Sequence, residues 1–581
     1  MPGARAPLAT TARRRLAGLV SATLLAMALT AQVAPSAGPV EPSLEVIVSA
    51  DPGHRSALKS AVMRLGGEVG REIDIINGFV ARFPSTALNR LQLAPGVRSV
   101  TVNRRVDLLD HPDGELEADP GSLEGVREAI NADHLLKKGI TGSGVDVALI
   151  DSGVVPVAGL TGDDKVVDGP DLSFESSAEN LRYLDTYGHG THMAGIIAGS
   201  GEGYEGIAPG ARLVSVKVAG ATGATDVSQV LAAIDWVVQH RSDGGLNIRV
   251  LNLSFGTDGT QPYTIDPLSY AAEVAWRRGI VVVAAAGNAG YGSDKLNNPA
   301  YDPYLLAVGA LDDSDTRKRI DDVVPEWSSR GDGVRNPDLV APGKSIVSLR
   351  NPGSEIDLTY PEGRVGERFF RGSGTSQAAA VVSGAAALLL DKRPGLSPDQ
   401  VKALFTSTAS HLRNADPVAQ GAGALDLKAA AAARTPEATQ EHVPSEGTGS
   451  LEAARGSAHV EMDGDALSGE QDIFGEPWDA TTWARNSWSQ TSWSGGLWNS
   501  EVWAGDSWTR NSWSRNSWSG VVWTRNSWSR NSWSDTYWSR NSWSGSQWEG
   551  DVWARNSWSA DSWSRNSWSR NSWSSAQWGE H

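Results

Sequence analysis

Residues 145–153 read VDVALIDSG. Five of the first six positions are apolar, three of them β-branched, and the run stops on the turn-forming Asp151-Ser152-Gly153. A continuous apolar run of this length, closed by a turn, is the pattern of a strand buried on both faces of a sheet. Three more runs share it: ARLVSVKV (211–218), IRVLNLS (248–254) and IVVVAAA (280–286). Between them lie helical patterns, among them VSQVLAAIDWVVQH (227–240) and LSYAAEVAWRR (268–278). Alternation of such strands with helices predicts an α/β, doubly wound parallel sheet. A late helix is marked by Ser397 at N-cap, Pro398 at N1 and Gln400 at N3, a capping box.

This domain is expected over 126–433 of a 581-residue chain, too long for one domain. Before it, 44–109 reads βαββαβ, a ferredoxin-like order, with a hairpin at Asn77-Gly78 and a second helix over STALNRLQLAP. Residues 110–125 are acidic and aperiodic and read as a linker. Residues 1–34 read as a secretory signal: Arg5, Arg13, Arg14 and Arg15, an apolar run from Leu16 to Leu29, then alanines. Whether export is by the general or the twin-arginine route stays open. Residues 435–473, acidic and rich in Gly, Ser, Thr and Pro, read as a solvated tether.

Composition removes several chemistries. With no cysteine, disulfides, thiolate nucleophiles and Cys-ligated metals are excluded, so a large core must carry the stability. The formal charge is −17, or −21 once the four leader arginines are gone, which argues against nucleic acid.

Four candidate residues fall at strand ends or helix starts. Asp151 ends a strand, Asn288 follows IVVVAAA, His189 opens a helix in GHGTHMAG, and Ser376 opens a long apolar helix in GSGTSQAAAVVSGAAALLL. Open α/β sheets place sites at the carboxyl ends of their strands. A serine at a helix start has unpaired N–H groups and the positive dipole end beside it. Each residue alone has a plainer reading, as a turn, a loop residue or an N-cap. His189 and His192, three apart, suggest a metal pair, but no carboxylate pattern accompanies them.

Taken in order, the segments VALIDSGV (147–154), GHGTHMAG (188–195), GIAPGARL (206–213), LNLSFG (251–256), VVVAAAGNAG (281–290), PDLVAPG (337–343) and SGTSQAAAVVSGAAALL (373–389) resemble a subtilisin-like serine protease. The resemblance covers nearly all of 126–433. It implies Ser376 as nucleophile, His189 as base, Asp151 as its orienter and Asn288 as oxyanion donor. It also implies that the edge Ser254-Phe255-Gly256 pairs with peptide substrates, that His192 is structural, and that 44–109 is an inhibitory propeptide. INGFVARF and PGVRSVTVNRRV carry that last match, a looser one. One departure stands out: Gln377 and Ala380 replace a usual Met and Pro. No catalytic atom is lost, and Ala favours the helix. No cofactor is required. Calcium, which often stabilises the family, is admitted by 162–171 without being placed there, since that stretch reads more simply as a solvated loop. The rival class is a surface adhesion protein with an inactive fold of this kind.

From 474 onward, tryptophan falls at every fifth position from Trp478 to Trp578, twenty-one in all, and all nine arginines lie in Arg-Asn-Ser-Trp. A period of five fits neither a strand nor a helix. That leaves a four-sided β-solenoid or a flexible chain with adhesive points. The expected partner is the cell envelope, a polymeric substrate or a second copy of the chain, so the enzyme is expected to be secreted and held at the cell surface.

Overall fold

The computed structural model describes residues 43–102 and 121–503, apart from short internal stretches, together with Gln577 and Trp578. The readings of 1–34 as a signal, of most of 110–125 as a linker and of nearly all the repeat beyond Trp503 lie outside these residues. Labels below number only the elements named. The chain divides into two compact units, before and after about Asn103.

In the first unit, β1 (Ser43–Ala50), α1 (Arg55–Arg64), β2 (Glu68–Ile73), β3 (Gly78–Pro84) and β4 (Val97–Val102) form a sheet of order β2-β3-β1-β4. β1 runs antiparallel to both β3 and β4, the order a ferredoxin-like chain gives. Leu58 and Val62 of α1 close the sheet's apolar face over Val46, Val48 and Phe79. The second helix read at 85–95 falls partly on residues outside the described set.

The second unit is built on a seven-stranded parallel sheet. Its strands are β5 (Asp146–Asp151), β6 (Val166–Asp171), β7 (Arg212–Lys217), β8 (Ile248–Leu253), β9 (Val281–Ala285), β10 (Leu306–Leu311) and β11 (Leu339–Pro342). The order is β11-β10-β9-β8-β5-β7-β6, so the winding reverses between β5 and β8, where such sheets bind ligands. Helices α2 (His189–Ala198), α3 (Val227–His240), α4 (Pro267–Arg277), α5 (Thr375–Lys392) and α6 (Pro398–Thr408) cover it. The expected capping box at Ser397 and Gln400 is present. α5 is buried from Thr375 to Leu390 because it crosses the middle strands, and it runs unbroken through Ala380.

Two expectations are corrected. From Val166 on, the stretch 162–171 is not a solvated loop. It contributes β6, and the buried Asp171 accepts hydrogen bonds from Ser173 and Tyr183 within the fold. Nor do 435–473 form a solvated tether. Here α7 (Leu451–Arg455) packs on α3 and α4, and Arg455 makes a fully buried ion pair with Asp226, the N-cap of α3. Composition misleads because one buried cation and a few apolar residues (Leu451, Ala454, Leu467, Ile473) do the anchoring.

The repeat is corrected as far as Trp503: it is neither a solenoid nor a loose chain. It forms α8 (Ala480–Ser489) and two tight hairpins through Trp493–Ser494, Leu497–Trp498 and Glu501–Val502. Gly495-Gly496 and Asn499-Ser500 turn with positive φ at both central residues, the geometry of two-residue hairpins. Across such a turn residues i and i+5 face each other, so Trp493 pairs with Trp498. In the second hairpin Trp498 faces Glu501 instead. Trp483, Trp493, Trp498 and Trp503 are all buried in one core with the sheet and helices.

Candidate active site

Asp151 is the last residue of β5 and His189 the first of α2. For strand end and helix start to meet, the backbone between them must come close. A Cβ at Gly190 would lie 2.1 Å from the Gly153 carbonyl oxygen, and Gly188 has φ 106°, so the glycines of GHG are obligatory. The result is a buried pair: His189 Nδ1 lies 2.9 Å from Asp151 Oδ1 and 3.0 Å from Oδ2. Asp151 Oδ1 also accepts from the Ser152 N–H at 2.7 Å. A carboxylate facing Nδ1 holds the proton there and leaves Nε2 as the basic nitrogen.

A residue not found from the sequence secures this pair. Asp185, fully buried, accepts from Ser152 Oγ and from the N–H groups of Gly188 and Thr191, each at 2.7 Å. It thereby ties the end of β5 to the start of α2. Burial pushes its carboxyl above the usual range, and those hydrogen bonds pull it back. Asp185 lies three residues before the N-cap Gly188, in a loop where no pattern marks it. His192, one turn along α2, is buried, and burial first and the neighbouring His189 second drive its pKa well below the ordinary histidine value. It stays neutral and adds no charge beside His189. Among the described residues no group of three or more His, Cys, Asp or Glu is placed to hold a metal.

The second half of the site gathers where β8, β9 and α5 meet. Ser376 is the second residue of α5 and fully buried. Its Oγ donates to the Ser254 carbonyl at 3.2 Å, and Ser254 Oγ donates to the Ser376 carbonyl at 3.1 Å. Asn288 Oδ1 accepts from the Thr375 N–H at 2.9 Å and from Thr375 Oγ1 at 3.0 Å. Its carboxamide is thus oriented by Thr375. Helix α2 packs on α5, joining the two halves. Ser254, Phe255 and Gly256 are all buried. Gln377 is buried with neither carboxamide atom partnered among the described residues, which costs about 1–3 kcal/mol. Nothing in the structure explains that choice.

Residues 142–426 match the subtilase family, Peptidase_S8. The chain is 36% identical over 357 residues to serine protease AprX of Bacillus subtilis, covering 59% of this chain and 76% of that one. It is 32% identical over 382 residues to subtilisin E of the same species, covering 64% and 85%. Among solved structures, fervidolysin from Fervidobacterium pennivorans, described as a keratinolytic enzyme related to subtilisin, aligns at 24% identity and TM-score 0.44. That alignment covers 68% of this chain and 62% of fervidolysin. A doubly wound sheet with Asp151, His189 and Ser376 at its strand ends and helix starts, and relatives of this identity and coverage, lead to one conclusion: the chain belongs to the subtilase family of serine endopeptidases.

Proposed function

We propose that this enzyme cleaves peptide bonds through Ser376, His189 and Asp151, by way of an acyl-enzyme. The observation that carries the reading is the buried Asp151–His189 pair, with both carboxylate oxygens within 3.0 Å of Nδ1. A serine hydroxyl is a poor nucleophile until a base takes its proton. His189 Nε2 takes it as Ser376 Oγ attacks the carbonyl carbon, and the imidazolium formed is stabilised by Asp151. The oxyanion is met by the Asn288 NH₂ and the Ser376 backbone N–H at the positive end of α5. His189 then protonates the leaving amine, and water repeats the attack to free the acyl group. The substrate strand pairs with the edge at 254–256.

The same reading makes 1–34 an export signal and 44–109 a propeptide that assists folding, blocks the cleft and is cut away. The mature enzyme is secreted and held near its source by the tail. The compact first unit, with its own core, is what such a removable domain requires. Expressing the precursor beside its Ser376→Ala form tests both halves. Release of the 44–109 region is expected from the first alone. Equal release from both, or from neither, would overturn self-processing.

A further inference from the structure

The tail motif is not absorbed by catalysis, and its docked part shows what it binds. Asp235, buried on α3, is a polar hub. Its Oδ2 accepts from Trp483 Nε1 at 3.0 Å and Trp498 Nε1 at 3.1 Å, and its Oδ1 accepts from Ser487 Oγ at 2.5 Å. Around it, the Tyr270 hydroxyl donates to the Ala484 carbonyl at 2.9 Å, and Tyr270 meets the Trp483 ring edge-on at 5.7 Å. Arg278 donates to the Trp488 carbonyl at 2.6 Å and lies over the Trp488 ring at 5.1 Å. From residues 483–488, this face therefore uses a Trp, the carbonyl after it, a Ser four on and the next Trp. The contacts spell Trp-x-x-x-Ser-Trp.

Every one of those groups recurs down the chain. After Trp488 the unit Trp-x-Arg-Asn-Ser-Trp appears eight more times, starting at Trp508, Trp513, Trp523, Trp528, Trp538, Trp553, Trp563 and Trp568. Residues 553–559, WARNSWS, repeat 483–489 letter for letter. Each copy carries the indole N–H, the hydroxyl and the carbonyls that the face reads. One catalytic unit has one such face and nine copies of its ligand. The tail is electrically neutral, with nine arginines, whereas the rest of the chain holds the whole net charge of −17.

We propose that the Asp235 face is a recognition site for the repeat itself, and that the further copies bind this face on a second copy of the chain. Exchange replaces each contact made by 483–488 with an equivalent one and leaves Trp498 on Asp235, so tethering favours the resident copy. A tether gives an effective concentration of about a millimolar, so dilute molecules stay separate. Molecules crowded on a surface exchange repeats, and several tail copies then bridge several faces. The proposal does not depend on whether Ser376 is active.

The test uses full-length Ser376→Ala protein, which cannot cut itself. In one preparation Trp483→Phe and Ser487→Ala are added, keeping the ring packing while removing the donors to Asp235 that lie within 483–488 and leaving Trp498 in place. Binding of labelled full-length Ser376→Ala protein to immobilised vacated and unvacated forms is then measured. The vacated face is expected to bind at least tenfold more tightly. Adding Asp235→Ala to it, or changing the serine of all eight further units to Ala in the labelled partner, is expected to abolish the gain. Thermal melts of each preparation verify the fold, and a free WTRNSWS peptide is expected to compete where a scrambled one does not. Equal binding to vacated and unvacated faces, or a gain indifferent to Asp235, overturns the proposal.

Discussion

Replacing Arg455 with Met tests whether the segment after residue 434 belongs to the catalytic unit. The guanidinium is fully buried, with Nε 2.6 Å from Asp226 Oδ2 and Nη2 3.3 Å from Oδ1, and Nη1 donates to the Gly469 carbonyl at 2.7 Å. Burial would raise the Asp226 carboxyl, but Arg455 outweighs it and holds the pKa below the usual range. A depressed folded pKa is stability present above the unfolded value, near 4, and lost as pH falls. In Arg455→Met the carboxylate keeps its capping bonds, with Ser228 among the donors, and stays buried without its counter-charge. Breaking a buried pair in this way costs about 3–5 kcal/mol. Urea unfolding at pH 7 on the Ser376→Ala background reads that loss. The deficit should shrink toward pH 5, because a lone buried carboxyl takes up its proton early. Arg455→Met with Asp226→Asn should recover most of it, since no orphan charge remains and Asn still caps α3. A loss below about 1 kcal/mol, the worth of an exposed pair, would refute the reasoning and restore the tether reading.

Two further outcomes are expected. Asn288→Ala should lower kcat by about 10²–10³-fold with KM nearly unchanged, a loss of about 3 kcal/mol. That magnitude comes from subtilisin itself, so the discriminating result is the kcat–KM split in steady-state kinetics. Burial lifts the Asp235 carboxyl to about 6, against the pull of Ser487, Trp498 and Trp483. With the folded pKa above the unfolded one, this group makes stability fall as pH rises from about 4 to about 6. Asp235→Asn should remove about 3 kcal/mol of that slope in paired unfolding curves.

The sheet, and the placing of Asp151, His189 and Ser376 at strand ends and helix starts, were legible because buried parallel strands are continuous apolar runs and glycines must flank His189 where helix meets strand. Asp185 was not, since a single acid in a loop carries no period. The segment 435–503 misled in two ways. Its composition is that of a solvated chain, yet Arg455 is buried against Asp226, a partner 229 residues away that no local pattern announces. Its period of five matches no straight element, and only the turn at Gly495-Gly496 sets two of the indoles, Trp493 and Trp498, opposite each other. Which surface the indoles meet depended on Asp235, in a helix otherwise read as ordinary cover for the sheet.

The central claim is that Ser376 is made nucleophilic by a His189 held against Asp151. Treating the enzyme with a serine-directed phosphonate and mapping the adduct by peptide mass tests it most directly. The account predicts one adduct, on Ser376, formed in step with loss of activity and absent from His189→Ala. No adduct, an adduct on another serine, or equal labelling of the His189→Ala form would contradict it.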